Sequence, residues 1–234
     1  MSNFKALDPT VIGQSVYEES TTAKAELGAI TKVGDRVYRY AVAGAALAAG
    51  DVVAIAANAQ VVNATAGAAA VAGTREVVVY GAAAINASVF AEGDLIVSDA
   101  TGQGYVYRIK SQPACSSAGN ATVVLYDPLV AAIGVASEIT LVPNRNQVTN
   151  VITATTPIQG VAACAVTSGN YFFAQEAGIA AVKVNTTVAF GSLIIPSTTG
   201  GTTVADVTAN AQVIGVALAA GTSADTVPVL LRIK

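Results

Sequence analysis

The sequence predicts an all-β protein, built as two small sandwich- or barrel-like modules with an extended N-terminal arm. Three observations predict it. From residue 33 onward, polar and apolar side chains alternate with a period of two in short runs. Turn-forming stretches punctuate those runs: "TGQG" (101–104), "SAGN" (117–120), "TSGN" (167–170), "TTGG" (198–201) and "GTSAD" (221–225). The apolar share, 53% of 234 residues, comes mostly from Ala and Val, with few aromatics and no Trp. Small and β-branched side chains suit closely packed pleated sheets. A chain of this length suffices for one large all-β domain or two small ones, each with its own core.

Residues 1–32 differ from the rest in being mixed polar and charged, with Pro9 and Gly13. We expect an extended arm there that orders against a neighbour; a short helix could form near "SVYEESTTAKAEL", where Ser15 and Glu18 have capping-box spacing. The first module is expected over 33–150. It opens with "GDRVYRYAVAG", in which Arg36, Tyr38 and Tyr40 alternate with Val37, Arg39 and Ala41. Further strands are expected within 74–82, 93–99, 104–110, 121–127, 137–143 and 146–154. The Ala-rich run 64–72 could turn helical only briefly, because Gly67 and Gly73 limit it. The second module, 151–234, supplies strands within 160–166, 170–176, 178–184, 191–197, 211–220 and 225–233. In "NYFFAQEAGIAAVKV" (170–184), Gly178 is expected to turn or bulge the backbone before Ile179, with Gln175 left to bond a neighbour. A short echo links the modules. Gly50-Asp51-Val52-Val53, Gly93-Asp94-Leu95-Ile96 and Gly191-Ser192-Leu193-Ile194 share a start, and Ile133-Gly134-Val135-Ala136 returns as Ile214-Gly215-Val216-Ala217. A glycine turn opening a buried strand would serve in each. No fixed-period repeat is evident.

Charge narrows the function. Residues 1–40 hold ten of the chain's 27 charged side chains, so the remaining 194 residues hold seventeen. A free monomer normally carries a more charged surface. This body would be covered in an assembly or be neutral and polar. The net charge of −3 offers no basic field for phosphates, so nucleic acid is not an expected partner. No apolar run has the bulky residues of a membrane helix, and the N-terminal stretch lacks the pattern of a signal peptide. Synthesis in the cytoplasm is expected.

The sequence offers few groups for reactive chemistry. The absence of His removes His-based triads and His-metal sites. Cys115 and Cys164 read as small buried hydrophobes, and two distant Cys build no metal site. The body's ten acids are Asp51, Glu76, Glu92, Asp94, Asp99, Asp127, Glu138, Glu176, Asp206 and Asp225. Most sit beside turn residues, where a carboxylate caps backbone N–H groups. Glu92, Asp94 and Asp99 lack the ligand comb of a calcium loop. Gly102 and Gly104 suit a hairpin rather than a phosphate cradle. Tyr105, Tyr107 and Arg108, like Arg36, Tyr38, Arg39 and Tyr40, suit a protein interface better than base stacking. We expect no catalytic, cofactor or metal residues and no enzyme.

The segments "GVAACAVTSGNYFFAQEAGIAAVKV", "GSLIIPSTTGG" and "IGVALAAGTSADTVPVLLRIK" resemble the C-terminal part of tailed-phage virion structural proteins, in particular capsid decoration (cement) proteins. "SVYEESTTAKAELGAITKVGDRVYRYAVAG" is similar to their N-terminal part. The resemblance implies a β-rich bacteriophage protein on the virion's capsid surface. It would form a homo-oligomer, a trimer or a dimer, and bind the major capsid protein where subunits meet, stabilising the head. Other readings are a head fibre, a tail component or the major capsid subunit itself, although no long spine helix is evident for the last. A glycan-binding β module is a further alternative, and the missing Trp argues against it.

Overall fold

The computed structural model describes residues 13–55, 61–149, 157–197, 202–204 and 212–233. They form sixteen strands and no helix, so the all-β expectation holds. The chain divides into two compact units, but not at the expected boundary. Unit 1 combines residues 1–56 with 146–234, and unit 2 is residues 57–145. The expected modules 33–150 and 151–234 are therefore corrected to a nested arrangement. The reason is non-local pairing: residues 36–43 find their main partner at 171–177, which a local periodicity cannot reveal.

Unit 1 is one ten-stranded sheet. Its strands are β1 (Ile30–Val33), β2 (Arg36–Ala43), β3 (Val52–Ile55), β10 (Gln147–Thr149), β11 (Ile158–Ala162), β12 (Tyr171–Lys183), β13 (Leu193–Pro196), β14 (Thr202–Val204), β15 (Gly215–Ala217) and β16 (Thr226–Arg232). Pairing runs from β2 to β10, β3, β11 and β12, and β12 pairs back onto β2, so five strands close a ring. Closure removes the exposed edges that an open sheet would present. The second half of β12 then carries β16, β15, β13 and β14. The chain leaves for unit 2 after β3 and returns at β10, and these two strands are antiparallel partners (Val148 opposite Ile55). An insertion is readily accommodated where two such strands end side by side.

Unit 2 contains β4 (Ala64–Thr65), β5 (Glu76–Gly81), β6 (Asp94–Asp99), β7 (Val106–Ser111), β8 (Gly119–Leu125) and β9 (Glu138–Val142), in the order β4-β9-β6-β7-β8-β5. A bridge between Ala66 and Val79 joins the two ends of that order, so this sheet closes on itself too. Its core includes Phe90, Leu95, Ile109, Leu125, Ile139 and Leu141, all essentially inaccessible to water. Inward and outward positions alternate along β5 to β9, the pattern the period-two runs foretold. The Ala-rich run 64–72 is not helical; it supplies β4 and a corner.

One local device recurs eight times among the described residues. A buried or half-buried residue makes an isolated reciprocal backbone bridge to its counterpart, and a tight turn leads into the next strand. The pairs are Leu47–Val166 and Val188–Gly221 in unit 1, and Ala70–Ile133 and Ile85–Cys115 in unit 2. Three residues after the bridge, seven of the eight corners have positive φ (Gly50, Gly73, Ser88, Ala118, Gly169, Gly191 and Ala224). That conformation swings the chain into the strand and favours glycine. The residue after it supplies an N–H to the first residue of the turn, as in Asp51 to Ala48 (3.1 Å) and Asp225 to Thr222 (3.0 Å). Its side chain often returns the favour: Asp51, Ser137 and Asp225 accept the N–H of Ala48, Gly134 and Thr222. The turn-capping expectation therefore holds for Asp51 and Asp225, while Asp206 lies outside the described residues.

These corners correct the sequence echo. Gly50 and Gly191 occupy equivalent corner positions, but Gly93 lies beyond its corner. Ile133 is a bridge residue, whereas Ile214 leads directly into β15.

The segments expected at 170–176 and 178–184 are one continuous strand, β12, of 13 residues. Gly178 does not break it. Its φ is +81°, but the ladder with β16 runs through it without a shift, and the register against β2 slips earlier, between Gln175 and Ala177; the bulge expected at Gly178 lies at Glu176 instead. A Cβ at Gly178 would lie 2.8 Å from Arg36 Cγ and 3.1 Å from the Asp35 carbonyl oxygen. Gly178→Ala is expected to destabilise unit 1 by about 1–3 kcal/mol through backbone strain, with the clash in addition; urea denaturation measures it. A second expectation concerns acid. The Thr222 N–H and hydroxyl hold the Asp225 carboxyl below its usual 3.8. A carboxyl depressed on folding adds stability that is complete above the unfolded value and fades as pH falls through the lower folded value. Asp225→Ala should therefore speed amide exchange at Thr222 at neutral pH and remove this corner's response to acid.

Candidate functional site

The two halves of β12 have different surroundings. In the first half, residues 172–176 are buried on both faces of the sheet. Phe172 and Ala174 belong to the ring interior with Ala41, Val53 and Val148. Phe173 lies on the other side, in a cluster with Val16, Tyr38 and Tyr40, against which Leu27, Ala29 and Val33 pack. The cover is the chain's own N-terminal segment. Gln14 donates to the carbonyls of Glu18 and Tyr171 and accepts from the Tyr40 hydroxyl. Ser20 bridges Tyr171, and the Glu19 carboxylate takes the Thr167 N–H and hydroxyl at a corner tip.

Residues 13–32 are thus folded onto unit 1, which corrects the expectation of an arm ordered by a neighbour; residues 1–12 lie outside the described residues. The Ser15–Glu18 capping contacts form, with Ser15 N–H to Glu18 Oε2 at 3.2 Å, but they close a turn rather than a helix. Too few residues follow before the chain must meet the sheet for helix nucleation to be repaid.

The arm also disposes of the Tyr/Arg cluster read as an interface. Tyr38 and Tyr40 are fully buried. Burial first, then the Tyr17 hydroxyl, pushes the Tyr38 phenol up to about 12. Arg39 is buried as well. Its Nε donates to Glu176, whose Oε1 also accepts from Gln159 Nε2 (3.1 Å), and Gln159 reaches Asn146 (3.2 Å). Arg39 donates its remaining reach to the Gly28 carbonyl at 3.0 Å. Glu176 is therefore an internal counter-ion and not a turn cap. Gln175, expected to bond a neighbour, donates instead to the carbonyls of Ala177 and Ile179 on its own strand.

The second half of β12 has one open face. Cross-strand register sets Ile179 opposite Leu230, Leu230 opposite Val216, and Val216 opposite Leu193. These four side chains form a row across β12, β16, β15 and β13, about 14 Å long at the usual strand spacing. Ile179, Leu230 and Leu193 are 48%, 39% and 39% exposed. Ala181 and Pro228 form a second, also exposed, pair beside it. The opposite face of the same strands, with Ala180, Val182, Val227, Val229 and Ile194, is core. Beside Ile179 opens a cleft of about 240 Å³, walled by Tyr17, Arg36, Gly50, Ala162, Ala181 and Thr226 among others. Arg36 donates to the Tyr17 hydroxyl at 2.6 Å. Its stem lies over Gly178, where a side chain would displace it.

In unit 2 the expected residues disperse. Tyr107 is buried and its hydroxyl accepts the Val130 N–H, while Tyr105 stacks on it with centroids 6.1 Å apart. Glu92 takes Tyr126 and, at 3.4 Å, Arg108; Asp99 caps the Ala100 N–H. Among the described residues no three metal-ligating side chains gather. Gly102 and Gly104 form the β6–β7 hairpin, both at positive φ. Cys115 is a buried corner residue and Cys164 is half-buried, its thiol pushed up by burial and by Glu19 and Glu18. Sequence reading missed the open row. The signal was present in "GIAAVKV" and "TVPVLLRIK", where the alternate set facing away from the core is also apolar.

No protein-family model matches the chain, and neither a curated protein nor a solved structure is similar to it.

The Arg39–Glu176 pair yields an expectation of its own. Glu176→Gln leaves a buried guanidinium without its counter-charge and should cost about 3–5 kcal/mol in urea denaturation. Replacing both, as Arg39→Met with Glu176→Leu, should recover most of that loss.

Proposed function

We propose that this chain is a structural component of a virion, a capsid decoration protein that works as a homo-oligomer and binds the major capsid protein at junctions between subunits. The observation that carries this reading is the open apolar face on β12, β16, β15 and β13, in a body with few charges. A contiguous apolar face on a soluble β protein marks a place where another surface docks. The ring-closed sheet of unit 1 makes a stiff carrier for it. Side chains and caps are spent on holding corners, and the surface acids described above pair or cap rather than converge on a reactive centre.

The mechanism is linkage. A ligand that binds only the assembled shell must be released before a junction opens, so it stabilises the assembled state. Many copies on one lattice multiply a modest interface.

The test uses purified protein and tailed-phage capsids stripped of decoration. Co-sedimentation with the shells at saturating stoichiometry, and a raised shell melting temperature, are expected. No attachment together with an unchanged shell melt overturns the reading.

A further inference from the structure

We propose that the open face of β12 and β16, with the adjoining cleft, is the docking site for an aliphatic segment of a partner protein that carries acidic side chains. This deepens the assembly reading above and rests on it for the identity of the partner, though not for the chemistry of the site.

The register slip between Gln175 and Ala177 shifts the alternation of β12 by one residue, so Phe173 and Ile179 lie on opposite faces. The arm covers Phe173 on one face. On the other, Ile179, Ala181, Pro228 and Leu230 are exposed together. Aliphatic side chains of a partner fit this row, since the face is built of small and branched groups with no aromatic platform.

Charge supplies the second half. On the same face of β12 and β16 the next register positions outward are Ala177 with Arg232 and Lys183 with Thr226. Arg36 stands in the cleft wall beside Ile179. Three cations therefore frame the apolar rows, in a chain whose net charge is −3. Lys183 faces Asp51 at 3.9 Å. Arg36 and Arg232 make no ion pair among the described residues. Arg36 gives one N–H to Tyr17 and keeps others for a planar acceptor, and a carboxylate is the group that a guanidinium fork binds with two parallel bonds. Tyr17 and the Arg36 stem over Gly178 hold the fork in place, so little side-chain freedom is lost on pairing. A partner of opposite sign at this rim also gains from steering.

The experiment uses the full-length protein and a fluorescein-labelled peptide in which Leu-Val-Leu is flanked by Glu on both sides, with Gln and Lys analogues, read by anisotropy at low salt. The Glu peptide is expected to bind best and the Lys peptide worst. Arg36→Met and Arg232→Met should each weaken the Glu peptide about threefold to tenfold, the range of an exposed to half-buried ion pair, and leave the Gln peptide unchanged. Ile179→Asp should abolish binding of all three. All three substitutions lie at exposed or half-exposed positions, and a thermal melt close to that of the unmodified protein certifies each variant. Equal binding of the three peptides, or binding indifferent to Ile179→Asp, overturns the proposal. The same variants separate this site from the wider reading. Attachment to stripped capsids that survives both Ile179→Asp and Arg36→Met places the capsid contact elsewhere and overturns the site. Peptide binding without capsid attachment keeps the site and overturns the decoration reading.

Discussion

The backbone of β12 changes partners midway, from a strand on each side to a single strand on one side. Buried N–H and C=O groups left without partners would be costly, so a strand of 13 residues inside a closed ring has few ways to continue. Here it bonds β2 and β11 along its first half and β16 along its second. The change of partner is absorbed by one register slip and by Gly178 at positive φ. The rest of unit 1 follows from that strand. Its first half demands a cover, which the N-terminal segment supplies. Its second half extends the sheet beyond the ring and leaves one face open. The absent Cβ at Gly178 admits the Arg36 stem, and this places a cation at the border between the two halves.

The eight corners solve a related problem at the strand ends. A chain that leaves one strand for another exposes several backbone groups at once. A reciprocal bridge pairs some of them, and the turn pairs another through its own N–H. The cap that finishes the turn is a short side chain such as Asp51, Ser137 or Asp225, whose oxygen reaches back three residues to the N–H that opens the turn. At the corner after Val166 the same N–H is taken by Glu19 from the arm, so the corner becomes the arm's anchor. This use of Asp, Ser and Thr explains part of the composition. Long charged side chains have little work in such a body, and most of its polarity is consumed by its own backbone.

The same economy bears on function. The conspicuous polar groups of unit 1, Arg39, Glu176, Gln159 and Gln175, are turned inward and hold the ring. What faces outward on β12 and β16 is aliphatic with a cationic rim. Such a face suits a protein partner better than a small reactive substrate, which is the ground for the assembly role proposed above.

Much of the fold was legible in the residues. Period-two alternation located most strands to within a few positions, since a strand between core and solvent must alternate. A bulge ahead of Ile179 was readable, though not its place at Glu176, and so were the acids at 51 and 225 as caps, because backbone geometry and short-range bonding are local. The nested units were not readable: β2 and β12 lie more than 120 residues apart, and hydrogen bonds between strands carry no residue code. The corners escaped as a repeat because their spacing varies, from 15 residues between Ala70 and Ile85 to 33 between Ile133 and Val166, as the strands between them differ in length. Tyr38, Tyr40 and Arg39 read as surface because amphipathic side chains occur on both sides of a protein boundary; the arm decided which. By itself, then, the sequence determined that the chain would be sheet and where most of its turns would fall. The tertiary structure alone decided which strands meet, which apolar face is covered and which is left open, because those outcomes depend on contacts between residues far apart along the chain.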